Sequence, residues 1–570
     1  MTRPFTLEVL VDFLDDALRA DHVWRARDVD GLMRALAELG VRRVSWAYYA
    51  DERGGWRMPE FADGESSWAR ATATYRSLGH PLRVAVEAGH RYGMEVYAYY
   101  KPYETGVAMV APEGSPEART SGLLPHAGGR LCALDPFVVA HPHLRIQRRA
   151  DDLPEGTGPI CAIRLVKRDD APTRVTAGHL QLWASVDNYR YERAAVPFTL
   201  TETVEPAPRD VADCGGAAVT RRGDPVRVLT LSGFRLDDPY LLVTTDFPDG
   251  PADFAHSGTA LITALDAEGR EVPGCIATGA GAWLAGKVDF RRWGLIFDYG
   301  WGSAVIALDA PNASGRDGFI AFARGRNPYL PAALCETEPA VQAFWLACLD
   351  AALDAGVDGV DFREENHCTH TDEPDAYGFN PVVLSRVTPG EDLRAAAARV
   401  RGEAYTAFLR AAKARLSARG VRLRYHLNMD HFRQDPPPCR ALAYPANLHF
   451  DWRRWMAEGL LDEAVLRSYQ LRRTMLTDAV GAEMIAQCRA QGIPIAFNHH
   501  VFDDDPWYLD EARRVIADGR FAGLILYENN NFTRTDAAGN CRVTLDVVRR
   551  ICEEMGDSPR STQSAQRSLR

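Results

Sequence analysis

The chain has 570 residues, 46% of them hydrophobic and 25% charged, with a formal charge of −11. That length exceeds what a single core usually fills, so two or three domains are expected. The acidic balance argues against the basic patch of a nucleic-acid binder, and no apolar run is long enough to cross a bilayer, so neither partner is expected.

Near the start, Asp12, Asp15 and Asp16 interrupt any apolar stretch, so no secretory signal is read there. The eleven cysteines are odd in number and scattered, with no C-x-x-C pair. That suits reduced thiols, and a cytoplasmic protein is expected. From about residue 24 the pattern is helix then strand. Asp28 can cap a helix running to Gly40, and residues 41–49 then read as a strand. Pro81 starts a second helix that ends at Gly93, followed by a strand over 94–101.

Between roughly 150 and 312 the helical period disappears. Short alternating runs at 163–166, 180–183, 198–201 and 226–229, punctuated by Pro, Gly and Asp, signal an antiparallel β module. Its Trp183, Tyr189 and Tyr191 suit either core packing or stacking on a sugar. The module is either a carbohydrate-binding wall or a spacer forming a homo-oligomer interface, and the sequence does not choose. After Gly318 the α/β rhythm returns, with strand candidates at 319–324, 357–363, 423–430, 465–469, 494–500 and 523–528.

With the two earlier strands, these make the eight of a parallel barrel. The expected fold class is therefore α/β, a (β/α)8 TIM barrel interrupted by an inserted antiparallel β-sandwich. Residues 1–150 would hold the first two barrel strands, 151–315 the insert, 316–556 the other six strands and 557–570 a disordered tail. A doubly wound sheet is the alternative, but its glycine-rich phosphate turn is missing. Gly300-Trp301-Gly302-Ser303 comes nearest and lies in the β region with no helix after it.

Chemistry in barrels sits where the strands end. The helix-like segment from Glu338 to Gly356 leads into Val357-Asp358-Gly359-Val360-Asp361-Phe362-Arg363-Glu364-Glu365-Asn366-His367, a short strand with a polar burst. Alternation turns Asp361 and Arg363 to one face, away from Val360 and Phe362. A structural ion pair would look the same. In 423–430 every second residue is polar, so Arg424, His426, Asn428 and Asp430 share a face aimed into the lumen. Asn498 and His500 share a face of the next-to-last strand, and Glu528 follows four apolar residues at the end of the last. Glu528 reads as a mouth acid or as a helix cap. Tyr99, Lys101 and Arg324 come from the earlier strand ends.

Acids and amides beside aromatic rings at strand ends suit carbohydrate, and cleaving a glycosidic bond usually takes two carboxyl groups. The preferred pair is Asp361 and Glu528, with Glu364 and Asp430 next. Arg363, Asn366, His367, His426, Asn428, Asn498, His500, Tyr99, Lys101 and Arg324 are the substrate-binding candidates. Arg363 is expected to hold a neighbouring carboxylate ionised. No cofactor and no metal is expected.

Three segments carry a family resemblance: Gly93-Met94-Glu95-Val96-Tyr97-Ala98-Tyr99, Ala355-Gly356-Val357-Asp358-Gly359-Val360-Asp361-Phe362-Arg363, and Asp451-Trp452-Arg453-Arg454-Trp455-Met456-Ala457-Glu458-Gly459-Leu460-Leu461-Asp462. In these the chain resembles the family-10-like glycosyl hydrolase group of bacterial TIM-barrel proteins, over roughly 25–145 and 318–550. The resemblance implies a barrel and a glycosidase acting on carbohydrate, while the interposed β module departs from the simplest members. Two other readings remain. A metal-dependent hydrolase would draw on His367, His370, His426, Asp430, His499 and His500, although no H-E-x-x-H motif occurs. A non-catalytic carbohydrate-binding barrel is the other.

Overall fold

The computed structural model describes residues 5–48, 67–111, 124–126, 129–149, 159–167, 169–185, 190–212, 218–238, 240–245, 263–272, 289–291, 294–298, 303–308, 318–323, 329–364, 374–429, 448–468 and 472–556. Eight parallel strands close into a barrel. They are β1 (Thr6–Val11), β2 (Arg43–Tyr48), β3 (Glu95–Tyr100), β4 (Gly359–Phe362), β5 (Arg422–Asn428), β6 (Glu463–Arg467), β7 (Ile495–His500) and β8 (Gly523–Tyr527).

Helices precede several strands as the sequence implies. In Ala26–Glu38, Asp28 sits inside the first turn, and its carboxylate accepts from the Arg25 backbone N–H at 2.6 Å. Pro81–Arg91 begins with its proline, where the missing N–H costs nothing. Pro339–Asp354 is followed by Gly356 at φ +88°, a left-handed turn into β4 that a side chain would strain. Outward side chains of the strands, among them Val44, Trp46, Val360, Phe362, Tyr425, Leu466 and Leu524, are buried under these helices. Each such burial contributes about 1.5–3 kcal/mol.

Two strand assignments are corrected. Thr6–Val11, read only as a segment without a leader, is the first barrel strand, paired with β2 and β8. Conversely, Gly318–Ala323 lies outside the barrel and pairs antiparallel with Tyr240–Thr245. An apolar run such as Phe319 to Ala323 fits a buried strand of either sheet, so its composition could not decide the partner.

In the chain between β3 and β4, Gly318–Ala323, Tyr240–Thr245, Leu180–Ser185, Arg190–Arg193, Ser303–Leu308, Gly106–Ala111, Gly129–Leu134 and Leu124–His126 lie side by side in one large sheet. It is mixed, because Ser303–Leu308 runs parallel to two neighbours. Thr199–Pro206, Pro225–Leu236, Ile160–Val166 and Thr263–Leu265 form a four-stranded antiparallel sheet. Leu182, Leu241 and Val243 of the first share a buried cluster with Ile163, Leu165, Leu229 and Leu231 of the second. Trp183 is buried, so it is not presented to solvent; the side chains of Tyr189 and Tyr191 lie outside the described residues. No described helix is long and apolar enough to cross a membrane.

Candidate active site

The barrel registers set the heights of the inward side chains. Followed round the ring, they put alternate strands in layers of four. Lowest come Arg43, Gly359, Glu463 and Gly523, then Glu8, Tyr97, Arg424 and Ala496. Ser45, Asp361, Val465 and Ile525 lie above, followed by Leu10, Tyr99, His426 and Asn498. Towards the mouth come Ala47, Arg363, Arg467 and Tyr527, and last Asp12, Lys101, Asn428 and His500. The alternation read in β4, β5 and β7 is therefore the one observed.

The floor is an ionic plug. Arg43 donates to Glu8 at 3.1 Å, to Glu463 at 2.9 Å and to Glu95 at 2.7 Å. Its guanidinium lies 4.3 Å from the Tyr97 ring centroid, with Arg424 at 4.9 Å. Gly359 leaves room for that ring, since a Cβ there would stand 2.4 Å from it. Arg424 Nη1 pairs with Glu8, while Nη2 donates to Asp361 Oδ2 at 2.8 Å and to Ser45 Oγ at 2.6 Å. Ser45 donates to Asp361 at 3.2 Å. His426 Nε2 sits 3.0 Å from the same carboxylate oxygen. Burial alone would raise the Asp361 carboxyl, but Arg424 and His426 outweigh it and hold the group below the usual carboxylate range.

Asp361 is therefore an ionised residue of the floor, and the guanidinium that holds it is Arg424 rather than Arg363. Arg363 sits higher. Its Nη1 donates to the hydroxyl oxygens of Tyr99, at 2.8 Å, and Tyr527, at 3.4 Å. Within one strand, same-face residues stand roughly 7 Å apart, whereas neighbouring strands lie under 5 Å apart.

The mouth divides by charge. On the side of β4, β6 and β7 stand Arg363, Arg467 and His500, all buried. Burial, then Arg467 and Arg363, depress the His500 imidazole well below its ordinary value and keep it neutral. Its ring meets Tyr527 edge-on at 4.4 Å. The side of β1, β3 and β8 is acidic. Lys101 Nζ lies 2.6 Å from Glu104 and 3.4 Å from Asp12. Those two acids keep the buried ammonium charged, overriding the opposite effect of burial.

Glu528 follows β8 and is 5% exposed. Though it precedes the short helix Asn529–Phe532, its side chain makes no cap hydrogen bond, so the cap reading does not describe it. Asn530 Nδ2 donates to both Glu528 Oε2, at 3.4 Å, and Asp15 Oδ2, at 3.2 Å, joining two carboxyl groups through one nitrogen. Burial first, then Asp12, raise the Glu528 carboxyl. Burial, Asp12 and Glu528 raise Asp15 well above its usual value. Asp16, beside Asn529 at 3.1 Å, is pushed up to about 8, chiefly by burial. Nothing in the spacing of the sequence had marked Asp12 or Asp15 as mouth residues. Their signal was the alternating Thr6–Val11 strand that ends just before them.

Of the candidate residues, Asp361, Arg363, His426, Asn428, Asn498, His500, Tyr99 and Lys101 share the lumen, and Glu528 stands at its mouth. Glu364 is fully buried, and its charge acts on Tyr425, an outward residue of β5 that hydrogen-bonds Tyr405. That separates it from Asp361. Asp430, Asn366, His367 and Arg324 lie outside the described residues. His499 turns outward, 3.0 Å from Glu511 and 2.9 Å from the Tyr508 carbonyl oxygen, so it cannot join His426 and His500 on one metal. Among the described residues no group of three or more His, Cys, Asp or Glu side chains could hold a metal ion.

No family model matches the chain, and no curated protein matches it. Among solved structures it is similar to the catalytic domain of β-amylase from Paenibacillus polymyxa, at 10% identity and a TM-score of 0.34, over 97% of this chain and 98% of that one. It is similar to isomaltulose synthase from Klebsiella sp. LX3, at 9% identity and a TM-score of 0.33, over 99% of this chain and 70% of that one. A GH18 chitinase from the chitin utilization locus of Flavobacterium johnsoniae is similar at 10% identity and a TM-score of 0.23, over 48% of this chain and 88% of that one. At such scores any assignment of chemistry rests on the barrel's own side chains.

Proposed function

We propose that the protein is a glycoside hydrolase, with Glu528 as the proton donor to the leaving oxygen. The observation that carries this reading is a buried carboxyl at the end of β8, raised by burial and by Asp12 and tied through Asn530 to Asp15. A carboxyl that holds its proton to higher pH than an ordinary glutamate is what the acid of a glycosidase needs. Asp15, itself raised well above its usual value, is a poor ionised partner, so Asp430 remains the candidate for the second carboxyl, from the fifth strand. Asp361 is assigned a supporting role, as a fixed negative charge beneath the bound sugar.

The resemblance to the family-10-like glycosyl hydrolase group agrees with this reading, as does the mixture of tyrosines, amides and charges round the lumen. We read the chain between β3 and β4 as a two-sheet β module inserted into the barrel, supported by the apolar cluster the two sheets share. It is wider than residues 151–315, because Gly106–Ala111, Gly129–Leu134 and Gly318–Ala323 join its larger sheet. The six cysteines with described side chains are free thiols, in keeping with a reducing compartment. The test is a broad panel of aryl glycosides and oligosaccharides, assayed with wild-type protein and Glu528→Gln. Cleavage by the former and not the latter supports the proposal. Binding without cleavage by wild type would make the barrel a carbohydrate-binding protein.

A further inference from the structure

In the layer above Asp361, Asn498 is fully buried, and neither its amide oxygen nor its amide nitrogen has a hydrogen-bond partner among the described residues. His426, from the same layer, is also fully buried, and its Nδ1 has none. Leaving such groups unsatisfied costs about 1–3 kcal/mol apiece, so a polar occupant is expected.

The chemistry of that occupant follows from the tautomer of His426. Asp361, ionised by Arg424, can only accept a hydrogen bond, so the imidazole proton belongs on Nε2. Burial lowers the affinity of His426 for a second proton, against the pull of Asp361, so the ring is neutral. Nδ1 therefore presents a lone pair to the lumen. An ionised carboxylate brings no proton for Nδ1, while the guanidinium groups of Arg363 and Arg467 in the next layer repel a cation. What remains is a neutral group that donates and accepts at once.

We propose that His426 and Asn498 form a subsite for one hydroxyl group of the sugar. His426 Nδ1 accepts the hydroxyl proton, and Asn498 Nδ2 donates to its oxygen. The Tyr99 ring, 5.2 Å from the imidazole, walls the subsite. The inference rests on the carbohydrate reading above and says which part of the ligand is read at the bottom of the lumen.

The experiment measures binding of D-glucose, D-galactose, D-mannose and D-xylose to the full chain by saturation-transfer NMR. It then measures the monodeoxy analogues of the tightest binder, on wild type, Asn498→Leu and His426→Phe. Removal of one hydroxyl is expected to weaken binding to wild type at least about tenfold. Both variants should lose discrimination at that position and keep it at the others. If no monosaccharide binds, or if the deoxy losses are equal in wild type and variants, the subsite is refuted and His426 Nδ1 and the Asn498 amide are met by ordered water only.

Should a variant fail to fold, 15N-histidine NMR of wild type decides. A neutral imidazole protonated at Nε2, whose Nδ1 resonance moves on sugar addition, is expected, and no such movement overturns the proposal. The two readings also fail separately. Discrimination without cleavage of any glycoside removes hydrolysis and keeps the subsite; cleavage without discrimination does the reverse.

Discussion

Replacing Asp361 by Asn tests the ionic floor most sharply. The amide keeps the side-chain shape but removes the charge that Arg424, Ser45 and His426 all address. Arg424 is fully buried and would be left with Glu8 as its ionic partner. Breaking one side of a buried pair typically costs about 3–5 kcal/mol, because the remaining charge stays desolvated. Chemical denaturation at pH 7, following the barrel transition, should show a loss of that size.

The pH dependence carries a sign. The folded Asp361 carboxyl lies below its unfolded value, so its contribution is complete above the unfolded value of about 3.9 and is lost as pH falls towards the folded one. The gap between wild type and Asp361→Asn should thus be widest near neutrality and shrink below about pH 4. A loss under about 1 kcal/mol at pH 7, or a gap that widens in acid, would refute the buried-pair account.

Three further outcomes are expected. Gly359→Ala should destabilise the barrel by about 1–3 kcal/mol, since its Cβ would meet the Tyr97 ring between the floor arginines; thermal melting checks this, and an unchanged transition contradicts it. Lys101→Met removes a positive charge that lowers the Glu528 carboxyl. Because the acid works protonated, activity should fall as pH rises through that raised value, and the variant's alkaline limb should move to higher pH in a kcat/KM profile. Glu528→Gln should be more stable than wild type in mildly alkaline buffer, since a raised carboxyl weakens the fold as it ionises; equal denaturation midpoints at pH 8 would contradict this.

The lumen was largely legible in the sequence because strand alternation is a local property. The odd–even pattern of 423–428 put Arg424, His426 and Asn428 on one face, and the barrel keeps them there. Partnership is non-local and was not legible. Asp361 was matched with Arg363, two residues on, whereas its guanidinium comes from the neighbouring strand. Glu8 and Arg43 lie on successive strands and meet Glu463 from across the chain, with no trace in any one segment. The first strand is hard to read because Thr6–Val11 is short, carries Glu8 among its apolar residues and runs directly into Asp12, Asp15 and Asp16. The same acids, brought to β8 by barrel closure, supply the neighbours of Glu528.

The most direct test of the account is turnover by Glu528→Gln on whichever glycoside wild type cleaves, with ligand affinity measured alongside. The account predicts a fall in kcat of about 10²–10⁴-fold, the usual scale for losing a general acid, with affinity kept within a few-fold. Wild-type kcat in that variant would contradict the assignment of Glu528 as the proton donor.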